Sequence, residues 1–310
     1  MSLTKYPNGI SSMGMPIIGG NYITTGDVYF ADSSTGSNGN TGADKSHAFG
    51  SVDYSIGKCT ASKDDHIFVM PGYSETLTGA AAMVFDIQGV NVVGLGRGSD
   101  RPTFLLDAGT TVDIDVTAAN VSIKNCLFQA GHGDIVKGFD LSATGFMLDH
   151  CEFADFAGNE NFVAYILTSA VANACDDLTI IACKAVSPDT GADTHFIKAM
   201  EDIDGLTVCN SFLSLGAKND KAIIHAADGK DFTNCEIMFN TFLRLNASEA
   251  TAPSAMYSNQ TANSGMIAYN MVGNADGDAA KSFDVTGARL VENYSSRAAD
   301  LNGTIIPAIT

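Results

Sequence analysis

One short strand is written repeatedly along this chain. Residues 120–128 read NVSIKNCLF and residues 145–153 read GFMLDHCEF, each with a turn residue, an alternating apolar run, a polar residue, a cysteine and a phenylalanine. Aligned on the polar position before the cysteine slot, the series runs Pro71, Gly94, Asn125, His150, Ala182, Asn210, Asn240, Asn270 and Asn293, at spacings of 23 to 32 residues. The runs alternate with period two, and no sustained helical period accompanies them. A unit of this length built on short strands specifies a solenoid whose neighbouring copies bury one another. A second strand precedes several of them, in VFDIQG, VDIDVTA, GFDLSA and SFDVTG. The fold class expected is therefore all-β, a parallel β-helix of about nine coils forming a rod of roughly 40 Å at about 4.8 Å per coil.

In such a rod an inward side chain meets its equivalent one coil away. The slot after the aligned residue holds Leu95, Cys126, Cys151, Cys183, Ser211, Thr241 and Met271, which predicts an internal ladder of small, mostly apolar groups. Asn125, Asn210, Asn240, Asn270 and Asn293 are expected to form a second ladder at a bend, because asparagine tolerates left-handed backbone and its amide can reach the next coil. The seven cysteines contain no CxxC pair, so neither a zinc site nor a disulfide framework is expected, and they read as buried hydrophobes. No metal and no cofactor are expected.

Residues 46–60 carry Phe49, Val52, Ile56 and Cys59 on one helical face, with Ser46 or Ser51 as cap. They predict a helix over the N-terminal end of the rod. Residues 1–26 lack the repeat and read as an extended N-terminal arm, leaving 27–310 as the β-helix domain. In the arm Ile10, Met13, Met15, Ile17 and Ile18 have no core of their own among glycines and prolines, and they are the partner-binding candidates. The chain has 17 basic and 35 acidic residues, a net charge of −18. That argues against nucleic acid, which needs a basic stripe. No apolar run is long enough for a membrane span, and no signal peptide is recognisable, so synthesis in the cytoplasm is expected.

The stretches VYFADSSTGSNGNTG, SVDYSIGKC and DDHIFVMPGYSETL, with Pro71–Gly72, resemble the N-terminal module of pectate-lyase-like right-handed β-helix proteins. This resemblance implies a right-handed winding over residues 27–295. The first twenty residues, with YPNGISSMGMPIIGG, resemble the N-termini of β-helix proteins of tailed bacteriophages and prophages. That second resemblance implies a virion location, a homotrimer and the major capsid protein as partner, hence a head decoration or cement protein. The alternative is a tail spike or fibre that binds or depolymerises a host surface glycan, and the third reading is a polysaccharide lyase or hydrolase.

No complete catalytic constellation appears. AGHGD at 130–134 matches the Gly-His-Gly of polygalacturonases, but the companion Asn-Thr-Asp, Asp-Asp and Arg-Ile-Lys elements are missing or misplaced, so His132 reads as a loop residue. Arg97 and Arg101 lie in GLGRGSDRP, which reads as a turn, and no arginine falls in a frame facing a carboxylate cluster. The enzyme candidates are Asp86, Asp115 and Asp140, each the middle residue of an apolar-Asp-apolar strand and expected to stack outward on successive coils. Such a stack is either a cation or catalytic site or a solvated acidic stripe.

Overall fold

The computed structural model describes residues 10–12, 15–17, 24–158, 160–187, 195–216, 222–244, 255–274, 282–297 and 300–306. These residues form an all-β parallel β-solenoid with almost no helix. Each coil passes through three sheets in turn, as in Ser122–Lys124, Leu127–Ala130 and Phe139–Leu141. Sheet one stacks ten strands, from Val28–Ala31 to Arg289–Val291. Sheet two also has ten, nine parallel strands from Ser74–Leu77 to Asn293–Arg297 and, closing its end as an antiparallel partner, Asp300–Ile306. Sheet three has eight, from Met83–Phe85 to Phe283–Val285.

The interior is filled by columns of like residues. In sheet two Phe104, Phe128 and Phe153 share one register position, with ring centroids 5.5 and 5.4 Å apart. The column then narrows to Ala185, and Phe196 from sheet three packs edge-on against Phe153 at 5.5 Å. Aromatic pairs at these separations add to the area each ring buries. Cys126, Cys151 and Cys183 stack in one inward column, as the repeat predicts, and all seven cysteines are free thiols. Burial, together with the neighbouring Cys151, pushes the Cys126 thiol up, and contact with Cys151 does the same to Cys183.

The asparagine register differs from the expectation. Asn125, His150, Ala182 and Asn210 occupy the left-handed corner between sheets one and two, at φ of 51 to 55°. Further along, that corner is held by Phe239, Tyr269 and Glu292. Asn240, Asn270 and Asn293 sit one residue later, in the cysteine column after Ser211, and are buried. Thr241 and Met271 accordingly begin the outer face of sheet two. Pro71 is also displaced, because sheet one pairs Val69 with Gly94.

The physical reason is a hydrogen-bond ladder that only inward amides can make. The backbone N–H groups of Ser211, Asn240 and Asn270 donate to Oδ1 of Asn240, Asn270 and Asn293, at 2.8, 2.9 and 3.0 Å. The Nδ2 groups of Asn240, Asn270 and Asn293 donate to the carbonyls of Val208, Ile237 and Ile267, at 2.7, 2.8 and 2.8 Å. Each amide thereby satisfies polar groups of the corner that water cannot reach.

The helix is shorter than 46–60. Helix α1 covers Val52–Ile56, and Ser51 Oγ caps it by accepting from the Tyr54 N–H at 3.3 Å. Lys45–His47 form a separate 3-10 turn capped by Asp44. Val52 and Ile56 reach the core, as does Cys59 beyond the helix. In the N-terminal segment Ile10–Ser12 pairs antiparallel with Met15–Ile17 in a two-stranded sheet of its own. Met13 and Ile18 lie outside the described residues.

Asn270→Ala should cost about 3 kcal/mol, because it strands several buried donors and acceptors at once. Asn210→Gly, at the exposed corner, should cost well under about 1 kcal/mol. Urea unfolding of the two variants checks this, and equal losses would contradict the ladder.

Candidate functional site

Two clusters of polar side chains stand on the solenoid. The first contains the expected aspartates. Asp115 and Asp140 are register partners in sheet three, facing outward on successive coils. Asp86 does not join them. Sheet three pairs Val84, not Asp86, with Asp115, and Asp86 lies exposed just past the strand. The VFDI segment looks equivalent to VDIDV, but its inward residues are Met83 and Phe85, which shifts the motif by two positions. Asp284 falls in the same outward column near the far end of the sheet.

The sequence reading missed two members of this cluster. Asp113 precedes Asp115 on the same side of the chain and is buried, and its Oδ1 accepts the Ala81 N–H. Oxygens of Asp113, Asp115 and Asp140 lie within 4.8 Å of one another. Lys137 places its ammonium between two of them, 3.1 Å from Asp113 Oδ2 and in contact with Asp140 Oδ2. The i, i+3 spacing of Lys137 and Asp140 was the available signal. Burial, then Asp113 and Asp140, pushes the Asp115 carboxyl up, while Lys137 draws it down. Although burial pulls the Lys137 ammonium down, hydrogen bonds to Asp140 and Asp113 hold it above its usual value. The single ammonium of Lys137 offsets one of the three carboxylate charges, so the cluster stays net negative.

The second cluster was read as a turn. Residues Gly94–Arg101 do turn, through a 3-10 segment at Gly98–Asp100. A Cβ on Gly94 would sit 2.3 Å from the Asn125 carbonyl oxygen, so only glycine permits this approach. Asn125 Nδ2 fixes the turn by donating to the Gly94 and Gly96 carbonyls at 2.7 and 3.1 Å. The result is a cleft of about 540 Å³ lined by Arg97, Arg101, Lys124, Asn125 and His150. Coil stacking brings these basic groups together from three separate stretches of chain.

Carboxylates flank the cleft. Arg101 Nη1 lies 2.7 Å from Glu152 Oε2, reaching two coils along the rod. This is an ion pair with a single carboxylate, not an arginine facing a carboxylate cluster. Lys184 holds the other Glu152 oxygen at 2.7 Å. Lys124 lies 2.7 Å from Asp149, which also contacts His150 Nδ1. Arg97 makes no ion pair among the described residues. His132 sits in an exposed loop and touches neither cluster.

No protein-family model and no curated protein matches the chain. Among solved structures it is similar to a rhamnogalacturonan lyase, at 13% identity and a TM-score of 0.57, over 87% of this chain and 74% of that one. It also aligns with a GH136 lacto-N-biosidase from Eubacterium ramulus, at 11% identity and TM-score 0.45, over 87% of this chain and 67% of that one. The pectate lyase Pel9A aligns at 10% identity and TM-score 0.43, over 93% and 82% of the two chains. The first likeness shows a shared fold.

The Asp115 carboxyl is raised relative to the unfolded chain, so its ionisation opposes folding. Stability tied to it is present below its unfolded pKa and lost as pH rises through the folded one. Asp115→Asn should therefore raise Tm at pH 7 by roughly 1–2 °C and leave it unchanged near pH 3. Thermal unfolding at both pH values measures this, and a lower Tm at pH 7 would mean that the Lys137 bridge outweighs the repulsion.

Proposed function

We propose that this chain is a glycan-binding β-solenoid that holds an acidic polysaccharide in the cleft of Arg97, Arg101, Lys124 and His150. The observation that carries this reading is the gathering of basic groups on a chain of net charge −18. A strongly acidic surface repels a polyanion everywhere except where cations are concentrated. Arginine offers a planar fork to a uronate carboxylate, and Arg97 is free to do so. A sugar carboxylate would also compete with Glu152 for Arg101. The fold shared with the rhamnogalacturonan lyase structure is compatible with this use. In this reading the protein binds the polysaccharide without cleaving it. The coils, about nine by the repeat, wind right-handed as parallel crossovers do, and α1 plugs their N-terminal end.

Binding to polygalacturonate should weaken about tenfold in Arg97→Ala and fall with added salt, while neutral glycans bind neither form. Calorimetry against both glycan classes tests this. Equal affinity for the neutral class, or no effect of the substitution, would remove the cleft from the function.

A second reading is a virion structural protein in which Ile10, Met13, Met15, Ile17 and Ile18 bind the major capsid protein. It is favoured by the strand pair Ile10–Ser12 and Met15–Ile17, which among the described residues pairs with none of the three solenoid sheets. Deleting residues 2–20 should leave Tm within about 1 °C, as expected for a segment outside the core, yet abolish incorporation into particles. Full incorporation of the truncated chain would overturn it.

A further inference from the structure

The cleft holds its two arginines in different states. Arg97 makes no ion pair among the described residues, whereas Arg101 is already occupied: its Nη1 donates to Glu152 Oε2 at 2.7 Å. Sheet two places Thr103, Leu127, Glu152 and Lys184 on successive coils of one outward column. Arg101 precedes Thr103 by two residues, so it reaches past the Leu127 coil to make this contact. Lys184, one coil farther along, donates to the other oxygen, Oε1, at 2.7 Å. Glu152 thus lies between two cations, one that lines the cleft and one that does not.

We infer that Glu152 is a built-in competitor for the cleft: in the free protein it occupies Arg101 in place of a ligand carboxylate, and Lys184 keeps it when a ligand takes Arg101 away. This rests on the glycan reading above and adds how binding at that cleft is restrained.

The resident contact uses the arginine incompletely. A guanidinium binds a carboxylate best through two parallel N–H groups. Glu152 takes Nη1, while Nε is buried with no acceptor among the described residues. A buried donor left unpaired costs free energy. A guanidinium that turns Nε and a neighbouring Nη together to a ligand carboxylate gains a second hydrogen bond and removes that cost. Exchange is also balanced on the other side. With Arg101 as its sole partner, Glu152 would be left a bare carboxylate on a chain of net charge −18. Lys184 stays on Oε1, so exchange leaves the ligand paired with Arg101 and Glu152 paired with Lys184. Asp149 differs, because both its partners, Lys124 and His150, line the cleft themselves. The Arg101 and Glu152 side chains are 22% and 29% exposed, so water reaches the pair and its strength is near that of a surface bridge. The restraint is therefore about fivefold in affinity, which a ligand can overcome.

Calorimetry with polygalacturonate should show binding about fivefold tighter in Glu152→Gln than in wild type. Asp100→Asn removes the same charge from the turn beside Arg101 but breaks no ion pair among the described residues, and it should change affinity far less. Lys184→Met should weaken binding about threefold in wild type, where Glu152 then stays with Arg101, and have no effect in Glu152→Gln; the double-mutant cycle isolates this coupling. Phenylglyoxal modification followed by mass spectrometry gives a readout without glycan. Arg97 should react rapidly in both forms, and Arg101 slowly in wild type but rapidly in Glu152→Gln. Failure of every form to bind polygalacturonate would remove the glycan reading, and the modification rates would still decide whether Glu152 occupies Arg101. Equal Arg101 rates in the two forms would overturn the inference. So would an Asp100→Asn effect matching that of Glu152→Gln, or a Lys184→Met effect that persists in the double variant.

Discussion

Every feature of this molecule depends on side chains meeting their own equivalents one coil away. Parallel stacking makes the rod a set of columns, and a column is stable only if its members can lie against themselves at the strand spacing. Phenylalanine does this by ring stacking, as in Phe104, Phe128 and Phe153. A thiol does it as a small hydrophobe. Asparagine does it by passing a hydrogen bond from one amide to the next, as Asn240, Asn270 and Asn293 do. A buried aspartate cannot, which is why the stacked carboxylates face outward with Lys137 between them.

The change from cysteine to asparagine within one inward column shows how two chemistries solve one problem. Behind the left-handed corner, backbone N–H groups point into the rod. At the cysteine coils the thiols donate to main-chain carbonyls such as those of Ile123 and Leu148. Ser211 is the transition, with its Oγ accepting the Cys183 N–H at 3.1 Å. Beyond it the amides take over, and the column becomes a continuous polar thread inside an apolar rod. Such a thread is worth keeping only when every member is satisfied.

The repeat and the cysteine column were legible in the sequence because they rest on local alternation. The register of the later coils was not, because asparagine serves two positions that residue type cannot separate. Asn210 holds the corner and Asn240 points inward, although both follow an alternating apolar strand. Aligning Val208 with Ile237, as sheet one pairs them, would have put Phe239 at the corner. That alignment runs against the habit of placing phenylalanine inside, so the exposed position of Phe239 stayed hidden. The basic cleft was hidden for a different reason. Arg97 and Arg101 are local to one turn, but Lys124 and His150 arrive through coil stacking, which no short window of sequence contains. Lys137 was closer to hand, since it lies three residues before Asp140.

The cleft lies on one structural line, the corner between sheets one and two. The corner column runs Asn125, His150, Ala182, Asn210, Phe239, Tyr269, Glu292, and its backbone demands only a residue that tolerates or can be held in the left-handed region. The core makes no use of these side chains, which leaves the corner free to carry other chemistry.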